Sequence, residues 1–219
     1  MSHGYHPPVE EYLEAVLELD EDGIEVIQAR LAERLGHSAP TVSETIRRLK
    51  DEGYVTVDGR KVSLTVSGRR TAESVIRKHR LAERLLVDII GLPWEKSHDE
   101  ATRWEHVISD EVEERLTELL GHPATCPHGN PIPGAQTNVP ALQALHEVEA
   151  GTTVVLRRVS EQAEWDGVSL PFLASHDLKP GAEILCETQK EDGSLVVKTS
   201  GRKVDIDPVL ATRLYVSAS

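Results

Sequence analysis

The chain has 219 residues, of which 39% are apolar and 28% charged, which is the make-up of a globular protein with one large domain or two of ordinary size. No apolar run approaches the length of a membrane span, and the opening Met-Ser-His-Gly-Tyr-His lacks the basic-then-apolar pattern of a signal peptide. The two cysteines, Cys126 and Cys186, form no disulfide framework, which fits a reducing cytoplasm, and a net charge of −13 speaks at first against nucleic acid.

In chain order, a first helix is expected over about Val9–Leu19, with Leu13, Val16 and Leu17 on its apolar face and Glu11, Glu14 and Glu18 elsewhere. Asp20 to Gly23 breaks it, and a short helix over Ile27–Leu35 stops at Gly36. Ser38 reads as an N-cap with Pro40 in the first turn, and Val42, Ile46 and Leu49 give the next helix its buried stripe. Period-two segments follow at Tyr54–Val57 and Lys61–Thr65, turned by Asp58-Gly59. This order is that of a winged helix-turn-helix, although a plain three-helix bundle with an attached hairpin shares it.

Charge distribution favours the DNA-binding reading. Val26 to Arg84 holds 13 basic against 7 acidic residues, a local excess of +6, whereas the rest of the chain carries −19. Ser38, which caps the third helix, belongs to the expected DNA-binding set, and on the exposed face Thr41, Ser43 and Arg48 are candidates for phosphate contacts. Pro40 suits a thymine methyl and Glu44 a cytosine amino group.

A long helix is expected from Thr65–Gly68 to about Ile90, ended by Gly91 to Pro93. The next begins at Trp94 or Glu95, and another runs from Ser109 to about Leu120. His79 and Glu83 stand four residues apart on one face. His98, Thr102, Glu105 and His106 form a stripe of the following helix. Nitrogen and oxygen donors converging from two helices suit a divalent transition metal, although Glu83 pairs as readily with Arg80 or Arg84. Cys126-Pro-His128 resembles a ligand pair but has no second pair nearby, and reads as loop.

Gly121 to Pro140, rich in proline and glycine, reads as a linker. Beyond it, strands are expected at Thr152–Val159, Ala182–Thr188, Ser194–Lys198 and Leu214–Val216, with one helix near Leu170–His176, together a small β barrel.

Specific motifs now bear on the whole chain. Arg77-Lys-His-Arg-Leu-Ala-Glu-Arg-Leu-Leu86, His98-Asp-Glu-Ala, Glu105-His-Val-Ile-Ser-Asp110, Gly129-Asn-Pro-Ile-Pro133 and Ser38-Ala-Pro-Thr-Val-Ser43 resemble the diphtheria toxin repressor family of iron- and manganese-dependent regulators. The resemblance implies a mainly α protein with small β parts. A winged helix-turn-helix DNA-binding domain occupies 1–73, a helical metal-binding and dimerisation domain with the proline-rich linker 74–139, and an SH3-like β barrel 140–219.

It further implies two metal sites per subunit. An ancillary site takes His79, Glu83 and His98, with Asp166 as the nearest acidic equivalent from the C-terminal domain. A regulatory site takes Glu11, Thr102, Glu105 and His106. Iron-responsive members have methionine at the position of Glu11 and cysteine at that of Thr102. Manganese-responsive members have acids at both and another at that of Glu14. Glu11 and Glu14 fit the manganese pattern, Thr102 fits neither, and the cofactor expectation is Mn²⁺ ahead of Fe²⁺. The expected protein is a cytoplasmic repressor and not an enzyme, a homodimer reading palindromic double-stranded operator DNA, with no membrane and no organic substrate. A metalloenzyme is one rival, but carboxylate-bridged bundles use Glu-x-x-His from facing helices where this chain has adjacent Glu105-His106, and His-Glu-x-x-His does not occur; a winged-helix regulator answering an organic ligand is another.

Overall fold

A computed structural model describes residues 9–136 and 141–218. The N-terminal Met-Ser-His-Gly-Tyr-His, the far end of the proline-rich segment and the boundary expected at 139–140 lie outside the described residues. The chain divides into two compact units, residues 1–77 and 78–219.

In the first unit, α1 (Val9–Glu21), α2 (Gln28–Leu35) and α3 (Ala39–Asp51) precede a two-stranded antiparallel ribbon of β1 (Val55–Asp58) and β2 (Lys61–Leu64). Tyr12, Leu13, Val16 and Leu17 of α1, Leu31 of α2, Val42, Ile46 and Leu49 of α3, and Val55 and Val62 of the ribbon are all buried. The turn between α2 and α3 is fixed twice. Gly36 closes α2 in the left-handed region at φ 64°, and the Ser38 hydroxyl oxygen accepts from the Thr41 amide to open α3. Helix α4 (Val66–Arg84) starts in this unit, where a Cβ on Gly68 would stand 2.0 Å from the Tyr54 carbonyl oxygen. Glycine there lets the helix approach the ribbon.

In the second unit, α4 passes into a π-helical turn, Leu85–Ile90, which Gly91 ends at φ 78°. Helices α5 (Ser97–Trp104) and α6 (Asp110–Leu119) follow. Helix α5 is shorter than the stripe suggested, so Glu105 sits at its C-cap and His106 beyond it. Leu81, Leu116 and Ile132 pack together, as do Ala82, Leu86 and Ala101.

The stretch after α6 is not a loose linker. Cys126, His128, Asn130 and Ile132 are buried, in a turn where Thr125 bridges Pro131 and the Cys126 amide donates to the Asn130 carbonyl at 2.8 Å. The Arg84 guanidinium donates to the carbonyls of Thr125 and Cys126 at 2.7 and 3.0 Å. Satisfying these backbone groups from outside the segment is what allows it to be buried.

An antiparallel six-stranded sheet completes the unit, ordered β3 (Gln143–Ala144), β8 (Leu214–Ala218), β4 (Thr153–Val159), β5 (Glu183–Gln189), β6 (Leu195–Thr199) and β7 (Arg202–Ile206). Its core includes Val154, Leu156, Ile184, Val197, Ile206 and Val216, with Leu170 and Leu173 from helix α8 (Ser169–Ser175). Two short helices that the periodicity did not reveal are α7 (Glu161–Trp165), directly after β4, and α9 (Pro208–Arg213), capped by Asp207.

Candidate metal centre

His79 and Glu83 project from one face of α4, 4% and 1% exposed, and His98 joins them from the first turn of α5. Two further elements close the group: the Cys126–Asn130 turn brings His128, and α7 brings Glu161 and Glu164. His128 Nδ1 lies 3.1 Å from Glu83 Oε1 and 2.9 Å from Glu164 Oε2. His98 Nδ1 lies 3.0 Å from Glu164 Oε2, 3.6 Å from Glu83 Oε1 and 3.2 Å from His79 Nε2. His79 Nε2 lies 3.4 Å from Glu83 Oε1.

Proximity and alignment disagree within this cluster, and the disagreement is informative. Glu83 Oε1, Glu164 Oε2 and His128 Nδ1 are buried with no aligned hydrogen-bond partner, although they nearly touch. Buried polar atoms left in that state are costly unless something else satisfies them. Donors about 2.1 Å from a divalent ion, set at right angles, stand about 3 Å from one another. The spacings given above among His79 Nε2, Glu83 Oε1, His98 Nδ1, His128 Nδ1 and Glu164 Oε2 run from 2.9 to 3.6 Å, the scale of donors around a divalent metal, and His79, Glu83 and His98 form one such group. Cys126 belongs to the same cluster, its sulfur within 4.8 Å of donor atoms of Glu83 and His128.

The electrostatics show what the cluster does without a cation. Burial disfavours charge on His79, but Glu83 and Glu105 outweigh it and hold the imidazole well above the ordinary histidine range. His98 is pushed up to about 10, burial being overcome by the adjacent carboxylates of Glu164 and Glu83. Glu164 and Glu83 likewise hold His128 high, while His128 and His79 keep the Glu83 carboxyl well below the usual range against the cost of burial. Burial pushes the Cys126 thiol up to about 12, with the neighbouring charge of Glu83 adding to it. Protons on imidazoles thus balance the buried carboxylates.

Surrounding groups fix the ligands. Asn130 Nδ2 donates to Glu164 Oε1 at 2.6 Å, and Asn130 Oδ1 accepts from Arg158 Nε at 2.5 Å. The buried Arg80 guanidinium donates to Glu161 Oε1 at 2.8 and 3.2 Å, and also to the Pro131 carbonyl. On the far side of His79, Nδ1 bonds Glu105 Oε2 at 2.5 Å, and His106 Nε2 lies 3.2 Å from Glu105 Oε1. A histidine whose second nitrogen is held by a carboxylate has its ring orientation fixed.

Two family models match the chain: "Iron dependent repressor, N-terminal DNA binding domain" over residues 6–62 and "Iron dependent repressor, metal binding and dimerisation domain" over 65–134. The iron-dependent repressor IdeR of Mycobacterium tuberculosis is 44% identical over 94% of this chain and 95% of its own length. The diphtheria toxin repressor of Corynebacterium diphtheriae is 40% identical over the same shares. A solved manganese-dependent transcriptional repressor in complex with manganese superposes at a TM-score of 0.87, with 34% identity, covering 96% of this chain and 100% of that one. The chain belongs to the iron-dependent repressor family.

Within this family member, the structure brings His79, Glu83 and His98 together, and sets Glu105 beside His79 and His106 beside Glu105. Thr102 is exposed, and its hydroxyl donates to the His98 carbonyl at 3.1 Å. Glu11 is half-buried and Glu14 buried, both on α1 of the first unit. Asp166 does not join the cluster. Its carboxylate accepts from the amides of Val168 and Ser169 and pairs with Arg213 at 3.0 Å, while the C-terminal region offers Glu161 and Glu164 from α7 instead. Their i, i+3 spacing was the available signal, but a helix of five residues leaves no apolar period to reveal it. His128 was visible only as half of a Cys-x-His pair.

On α3, Ser38, Pro40, Ser43, Glu44 and Arg48 are exposed and Thr41 half-buried. Arg48 lies 3.9 Å from Glu52. Thr41, Glu44, Thr45, Arg47 and Arg48 line one groove of this helix, so the polar face is continuous.

Proposed function

We propose that the protein is a metal-dependent transcriptional repressor of the cytoplasm, binding palindromic operator DNA as a homodimer when loaded with Mn²⁺ or Fe²⁺. The observation that carries this reading is the buried set of imidazoles and carboxylates in which Glu83 Oε1, Glu164 Oε2 and His128 Nδ1 lack aligned partners. His79, Glu83, His98, His128 and Glu164 form the inner set of ligands. The outer set rests on the family pattern: Glu11 and Glu14 with Thr102, Glu105 and His106. Its oxygen-rich character suits Mn²⁺.

The residues suggest how loading reaches DNA. Glu11 and Glu14 gather negative charge on one stretch of α1, where like charges repel. A bound divalent cation supplies the charge that offsets this repulsion. Helix α1 also packs on α2 within the first unit, where Arg34 donates to the buried Glu18 carboxylate at 3.0 Å, so the position of α1 bears on the helix-turn-helix. Thr41, Ser43 and Arg48 then meet phosphates, and Pro40 and Glu44 meet base edges. Exposed Ile89, Ile90, Val107, Val112 and Leu119 of the second unit supply apolar surface for pairing of subunits.

The test is an operator shift titrated with Mn²⁺ and, anaerobically, with Fe²⁺. Operator affinity rises with either ion, Glu105→Ala or His106→Ala abolishes the response, and His79→Ala weakens it. Equal binding by the wild type with and without metal defeats the reading.

A further inference from the structure

The tie between α1 and the turn of the helix-turn-helix has two ends. Glu18 holds Arg34 at one, and Tyr12 holds His37 at the other. Tyr12 is fully buried, its hydroxyl bonds His37 Nδ1 at 3.0 Å, and the two rings stack at 5.8 Å and 30°. His37 stands between Gly36, the left-handed cap of α2, and Ser38, the N-cap of α3. Tyr12 in turn lies between Glu11 and Glu14 on α1.

We infer that Tyr12 and His37 position the start of α3 according to the placement of α1, so that part of the gain in operator affinity on metal loading passes through this pair. A buried tyrosine hydroxyl needs its partner, and the rigid ring transmits a displacement of α1 instead of absorbing it. His37 has no freedom to follow loosely, since Gly36 and the Ser38 cap fix the backbone on either side. Neither residue touches DNA or metal in the proposed function; both act through Ser38 and the α3 face. The inference rests on that function being right.

The experiment is a double-mutant cycle on the full chain with Tyr12→Phe, His37→Ala and both together. Operator affinity is read by fluorescence anisotropy with and without Mn²⁺, at an ionic strength low enough for the metal-free protein to bind. Mn²⁺ stoichiometry is read separately by calorimetry. Each single variant keeps the wild-type stoichiometry and metal-free operator affinity but loses about fivefold of the Mn²⁺-induced gain, the worth of one net hydrogen bond. The double variant loses no more than either single one. A fall that is equal with and without Mn²⁺ marks a purely structural pair and overturns the inference, as do losses that multiply in the double variant. His37→Ala alone decides the matter if Tyr12→Phe does not fold, because His37 is only half-buried. A wild type with no Mn²⁺-induced gain is a different failure, sinking the proposed function itself.

Discussion

Loading the inner site must expel protons. His98 is held at about 10 and is imidazolium in the metal-free protein at pH 7.5, and the carboxylates around His79 and His128 raise both of them in the same direction. An imidazolium offers no lone pair, and each must lose its proton to become a ligand. For His98 the gap of roughly 2.5 pH units costs about 3 kcal/mol, or on the order of a hundredfold in apparent affinity. His98 alone makes affinity rise about tenfold per pH unit between 6.5 and 8.5, and the other two histidines steepen it. The linkage sign for metal-free stability follows from the same direction. Raised histidine pKa values stabilise the fold fully below the unfolded value near about 6.5, and that contribution is lost as pH rises through the folded value. Calorimetry in two buffers of different ionisation enthalpy measures the release, expected to be at least one proton per inner-site ion at pH 7.5. Release of less than one proton, or an affinity flat across that pH range, refutes the assignment of these imidazoles as ligands.

Gly68→Ala places a methyl 2.0 Å from the Tyr54 carbonyl oxygen and is expected to destabilise the first unit by about 1–3 kcal/mol, measured by urea unfolding. Gly129→Ala meets the Arg157 carbonyl oxygen at 2.0 Å from a φ of +92°. It displaces the turn carrying His128, so Mn²⁺ affinity at the inner site falls along with the melting temperature, read by calorimetry and thermal unfolding.

Most of the fold could be read from local pattern because its long elements advertise themselves. Gly36, Ser38 and Pro40 punctuate the helix-turn-helix, and Asp58-Gly59 marks the ribbon. What escaped was short or held by distant partners. Strand β7 and helices α7 and α9 are five or six residues each, too brief for a period to emerge. The Cys126–Asn130 turn looked like linker because proline and glycine normally mark one. It is buried because Arg84, Trp94 and Val159 satisfy its backbone from far along the chain.

The same reason divides the candidate metal centre. His79, Glu83 and His98 come from neighbouring helices and are legible as spacing. His128 and Glu164 arrive with elements whose placement depends on tertiary structure. Asp166 fell to a different cause, since the chain spends its carboxylate on capping α8 and pairing with Arg213.

Cys126 alters the expectation about metal preference. From sequence, the absence of methionine and cysteine at positions 11 and 102 removes soft ligands from the outer set, yet Cys126 puts a sulfur beside the inner one. With the thiol raised to about 12, a hard ion such as Mn²⁺ gains little from displacing its proton, whereas Zn²⁺ and Cd²⁺ form thiolate bonds strong enough to do so. Cys126→Ser is therefore expected to weaken Zn²⁺ and Cd²⁺ at the inner site by about tenfold or more while changing Mn²⁺ affinity by less than about threefold. Competition of each ion against a calibrated chelator measures this, and Cd²⁺ binding to the wild type brings a thiolate charge-transfer band in the ultraviolet that the serine variant lacks. Equal weakening of all three ions would make Cys126 a packing residue and return the inner site to nitrogen and oxygen donors alone.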